Sequence, residues 1–147
     1  MRTSITKLAN ENLLAASTLA EDVIERIRRK SVDDFDGLAA LIGSNDTIEI
    51  PFNSSTFADQ FYPQGPLPQV LNRLPGAKDS SSIIFEVLQR TSSSVIEKIS
   101  AKAIIKWKEA KGWSAPEDGG NIVRNVQEQE YVLRINLARS GLRVFLK

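Results

Sequence analysis

The chain has no cysteine and no histidine. Without cysteine it can form no disulfide framework, zinc–thiolate site or thiol nucleophile, and without histidine it lacks the commonest general base and metal ligand. Most familiar catalytic constellations are thereby excluded. No apolar run approaches the roughly 18–20 residues needed to span a bilayer, and the opening MRTSITKLANENLL has no uninterrupted apolar stretch of the signal-peptide kind. These absences point to a soluble protein with no membrane partner, resident in the cytoplasm or in a particle made there. The phosphate-cradling patterns G-x-x-x-x-G-K-[ST] and G-x-G-x-x-G and the nucleophile elbow G-x-S-x-G are missing as well.

What is present fits one ordinary α+β domain over residues 1–147, with 41% hydrophobic and 25% charged residues. Charge nearly balances, at 19 basic against 18 acidic residues, but unevenly along the chain. Residues 1–96 carry 9 basic and 12 acidic side chains, a net of −3, while residues 97–147 carry 10 and 6, a net of +4. A dedicated non-specific nucleic-acid binder needs a larger excess, because each neutralised phosphate requires its own cation.

From Ser4 to Lys30, Ile5, Leu8, Ala9, Ala16, Leu19, Ala20, Val23 and Ile27 fall on one helical face about 120° wide, with Leu14 alone on the polar side. Ser31 and Asp34 have the spacing of a capping box, and Phe35, Leu38, Leu41 and Ile42 recur at helical intervals until Gly43, which predicts a second helix. Thr47 to Phe52 alternates as a strand, kept short or at an edge by Pro51. Five of the six prolines then fall between 51 and 75, in an irregular segment that runs to about residue 78. It also carries Phe52, Phe57, Phe61, Tyr62, Leu67, Val70, Leu71 and Leu74, too apolar a set for a plain tether, so it either wraps over its own core or meets another chain.

Residues 83–90 fit a strand better than a two-turn helix. Ser94 and Glu97 form a capping box, and Ile96, Ile99, Ala103, Trp107 and Ala110 share a face, which predicts an amphipathic helix from Val95 to Lys111 closed by Gly112. A strand is predicted at 121–126, and a β-hairpin at 131–146 turning at Arg139-Ser140-Gly141. The expected architecture is therefore helices, including one central amphipathic helix, packed on a small, mostly antiparallel sheet that ends in a hairpin.

Few groups suggest chemistry. Asp33, Asp34 and Asp36 do not follow a calcium-loop spacing and suit the start of a helix. Glu109-Ala110-Lys111 has the letters of a metal-dependent nuclease motif but falls within the predicted helix, and Glu128 and Glu130 suit a solvated strand face. No catalytic residue, metal site or cofactor is assigned. The functional expectation is a non-enzymatic protein-interaction or assembly subunit of a larger complex, homo-oligomeric or of the virus-particle kind. Its partner interface is placed at Phe52, Phe57, Phe61, Tyr62, Leu67 and Leu71, and the final strand of the hairpin could offer an open edge to a second copy. The alternative is a nucleic-acid binder whose residues 81–147 form a winged-helix-like half, with Lys98, Lys102, Lys106, Lys108 and Arg139 as contacts.

Overall fold

A computed structural model describes residues 2–114 and 123–139, with side chains for 10–109 and 126–139. Helix α1 (Arg2–Asp33) buries Ala16, Leu19, Ala20, Val23, Ile24 and Ile27, the three-and-four spacing of a core-facing helix, and leaves Leu14 69% exposed. Asp34 breaks the helix and caps α2 (Phe35–Ile42), its carboxylate accepting from the Gly37 N–H at 2.9 Å. Ser31 is not that cap. It stays inside α1, and its hydroxyl donates to the Arg28 carbonyl. Gly43, at φ 63°, ends α2 with its N–H on the Ala39 carbonyl.

Strand β1 (Thr47–Pro51) is followed by three short helices, α3 (Ser55–Phe61), α4 (Val70–Arg73) and α5 (Ala77–Ser80). Three long strands complete the described chain: β2 (Ser82–Arg90), β3 (Ile96–Ser114) and β4 (Val123–Ala138). The four strands form one antiparallel sheet in the order β1-β2-β3-β4. The α+β architecture read from the sequence is therefore the observed one. No described helix is long and apolar enough to cross a membrane.

Three sequence expectations change. Val95 to Lys111 is not a helix but most of β3, and Ser94, rather than capping a helix, sits at φ 67° in the turn after β2, with its N–H on the Thr91 carbonyl. Gly112 lies within the strand, beside a register shift between Ala110 and Gly112, and terminates nothing. The winged-helix reading of residues 81–147 fails with that helix, because the described elements from 82 to 138 are all strands. Residues 131–138 of the expected terminal hairpin belong to β4 and pair with β3; its turn and second half, from 140 onward, lie outside the described residues.

Both sheet faces alternate as strand geometry requires. Ile48, Ile50, Ile83, Phe85, Ile99, Ala101, Ala103, Ile105 and Trp107 face inward with Tyr131, Leu133, Ile135 and Leu137 of β4, and α1 lies against β3 and β4. The proline-rich segment completes this core. Phe52 and Phe57 stack at 4.3 Å with no solvent exposure, Phe61 packs on Phe85 at 6.2 Å, and Leu71 and Leu74 are buried beside them.

Candidate functional site

The face of the sheet turned away from α1 is built from the even-numbered residues of β3 and β4. Lys98, Lys102, Lys106 and Lys108 lie along it. The spacing of four among Lys98, Lys102 and Lys106, which suggested a helical stripe, is a multiple of two and keeps them, with Lys108, on one face of a strand. Across the β3–β4 ladder Lys106 stands opposite Glu130 and Lys108 opposite Glu128, while Lys102 stands opposite Arg134 and Ile104 opposite Val132. On the other flank Ile84 faces Lys102 and Glu86 faces Ser100. The lysines are thus interleaved with carboxylates and do not form a continuous cationic track. Arg134 makes no ion pair among the described residues, and it sits beside a lysine of its own sign.

The two edges of the sheet differ in a way that bears on partners. β1 is 5 residues long and ends on Pro51, which has no N–H to offer, so this edge is short and blunted. β4 is 16 residues long, roughly 50 Å at strand rise, and contains no proline, glycine or lysine. Among the described residues it pairs with β3 alone. Among the described residues its far side is therefore left with a long row of backbone donors and acceptors, the arrangement to which another strand can add.

The side chains expected to meet a partner are elsewhere. Phe52, Phe57, Phe61, Tyr62 and Leu71 are buried in the chain's own core and Leu67 is half-buried against it, because only a non-local wall, α1 and Phe85, covers so many rings. Arg139 is no exposed basic tip. Its guanidinium donates to the Ile96 carbonyl at 2.8 Å, pairs with Asp36 and lies over the Phe35 ring, tying the end of β4 to the start of α2. The sequence reading did not assign Glu130, Val132 and Arg134 as site residues; the signal for them was the alternation of residues 126–137 and the mirrored charges around Val132.

Other groups carry no reactive geometry. Glu109-Ala110-Lys111 does lie on a strand, but Glu109 faces Gln127 across the ladder, is buried, and accepts from the Asn12 side-chain amide at 3.2 Å; no second carboxylate lies beside it on that face of β4. No cluster of three ligand-type side chains is found among the described residues. The Tyr62 phenol donates to Asp22 at 2.6 Å, and burial, reinforced by that bond, pushes its pKa well above the usual tyrosine range. The hydrogen bonds from Arg28 hold the Glu25 carboxyl down at about 2, with Arg29 assisting. Both groups belong to ordinary helix-surface and helix-to-core contacts. An open hollow of about 330 Å³ beside β1, lined by Leu41, Ile48, Glu49 and Ser54, offers a single carboxylate. No family model, no curated protein and no solved structure matches the chain.

Proposed function

We propose that the chain is a non-enzymatic assembly subunit that binds protein by strand addition at β4. The observation that carries this reading is the contrast between the two sheet edges: one is short and closed by Pro51, the other is 16 residues long, without proline, glycine or lysine, and pairs on its far side with no described residue. Natural sheets blunt such edges unless they are used, so a long edge without proline, glycine or lysine favours a partner strand. A cytoplasmic setting, or a particle assembled there, suits a cysteine-free chain that needs no oxidising compartment.

A nucleic-acid role has less support. The lysine face is broken by Glu86, Glu128 and Glu130, and Arg139 is engaged inside the protein. Light scattering coupled to chromatography, run over a range of protein concentrations in low and high salt, with and without duplex DNA, tests the choice. A strand-adding subunit shows a mass above the 16.3 kDa monomer that rises with concentration and changes little with salt. Co-elution with DNA that collapses as salt rises, from a protein otherwise monomeric, would overturn it.

A further inference from the structure

We infer that the occupant of the β4 edge is β4 of a second copy, paired antiparallel about a two-fold axis at Val132. This rests on the assembly reading above and narrows it to one partner and one register.

In such a pair the outer faces of both sheets stay on the same side, so even-numbered residues of β4 must oppose even-numbered ones. Every axis that passes through a residue satisfies this, and near the middle of β4 charge separates the choices. An axis at Glu130 sets two carboxylates opposite each other, an axis at Arg134 sets two guanidinium groups together, and an axis at Gln129 opposes Glu128 to Glu130 twice. All three are repulsive. An axis at Leu133 leaves Arg134 opposite Val132 with no partner of opposite sign. An axis at Tyr131 pairs Glu128 with Arg134 but sets Glu130 against Val132.

The axis at Val132 is complementary throughout its centre. Val132 meets its own copy, and Glu130 meets Arg134 on both sides of it. On the inner face the half-buried Tyr131 and Leu133 oppose one another twice. The contact also relieves the strain left inside one chain, because the Arg134 that faces Lys102 gains a carboxylate on its free flank. Glu130, flanked by Lys106 in its own sheet, gains Arg134 of the second copy on the other side. A row runs unbroken as Ile104, Val132, Val132 and Ile104, covering a valine that is 42% exposed in the single chain. The result is a continuous eight-stranded sheet with its two blunt β1 edges outermost.

The native chain has no cysteine, so an introduced thiol has no competitor. Directly opposed residues place their Cα atoms about 4.5–5.5 Å apart, inside the range a disulfide spans, whereas two copies of residue 136 stand roughly 27 Å apart in this register. Val132→Cys and Asn136→Cys are made in the full chain, oxidised under identical conditions and compared on non-reducing gels, alongside the light-scattering mass of the parent. The expected result is a parent dimer and at least tenfold more cross-linked species from Val132→Cys than from Asn136→Cys. An oligomeric parent in which Val132→Cys links no better than Asn136→Cys overturns the register and leaves the assembly reading standing. A parent that is monomeric at every concentration, as when residues 142–146 close the edge within one chain, overturns self-association itself.

Discussion

At the residue scale, Phe57 and Tyr62 show what the aromatic segment does. Phe57 has no exposure and touches the rings of Phe52, Phe61 and Tyr62 at 4.3, 6.1 and 5.4 Å. Phe57→Ala should cost about 3–5 kcal/mol, read as a lower urea midpoint, with no selective loss of association. A variant that dissociates while keeping the parent's midpoint would return the ring to an interface. For Tyr62 the sign of the pH dependence follows from the raised pKa. Unfolded tyrosine loses its proton near 10, and the folded phenol holds it to higher pH. The contribution is therefore complete below that point and is lost as pH rises above it. Tyr62→Phe should cost about 1 kcal/mol near neutrality and should flatten the alkaline decline relative to the parent, measured by urea unfolding at about pH 8 and about pH 11. An unchanged decline would mean that ionisation of the buried Tyr62 phenol does not drive the loss of stability at high pH. Composition alone showed that these rings need cover; it could not show whose, because the cover comes from Asp22, 40 residues away, and from Phe85 on β2.

At the scale of elements, legibility depends on whether one period fits better than another. The buried positions Ala16, Leu19, Ala20, Val23 and Ile27 of α1 fit only the helical period and β1 alternates over a short run ended by Pro51, so both were readable, while β2 fitted a strand better than a two-turn helix without excluding the helix. β3 was not. Lysines four apart, and Ile99, Ala103 and Trp107 four apart, satisfy both 3.6 and 2, and the Ser94–Glu97 pair imitated a helix start. The deciding residues are Ala101 and Ile105, buried between those positions, which a helix would have turned away from the stripe. Pairing with β2 on one flank and β4 on the other then outweighs local propensity. Ser94 bears the cost of the turn. At φ 67° its Cβ is in a region that side chains avoid, and its exposed side chain donates no hydrogen bond across the turn to hold it there. Ser94→Gly should stabilise the protein by about 0.5–1 kcal/mol, checked by thermal unfolding. A loss of stability would show that the serine fixes the turn in another way.

At the scale of the whole molecule, the charge asymmetry between the two halves of the chain resolves into one surface. The basic excess from residue 97 onward is carried largely by β3, and the carboxylates of β4 complement it at Lys106 and Lys108, whereas Lys98 faces Ala138 and Lys102 faces Arg134. The α+β class and the presence of a solvated strand at Glu128 and Glu130 were readable from alternation. An open edge was expected on the last strand of the hairpin; that β4 is the edge strand among the described residues was not readable, because strand order follows from which strands find each other across the chain.

Sedimentation velocity on two charge variants, each alone and mixed in equal amounts, tests the pairing of β4 with a second β4. Glu130→Arg alone opposes arginines on both sides of the axis, and Arg134→Glu alone opposes glutamates. At about 0.2–1 kcal/mol for each cross-strand pair, turning two attractions into two repulsions weakens each homodimer roughly tenfold or more. In the mixed pair the introduced arginine of one chain faces the introduced glutamate of the other, and the first chain's native Arg134 faces the second chain's native Glu130. With β4 paired about Val132, each variant alone sediments nearer the monomer than the parent, and the mixture regains the dimer. Variants that sediment like the parent, or a mixture no heavier than its components, would contradict pairing of β4 with itself about Val132.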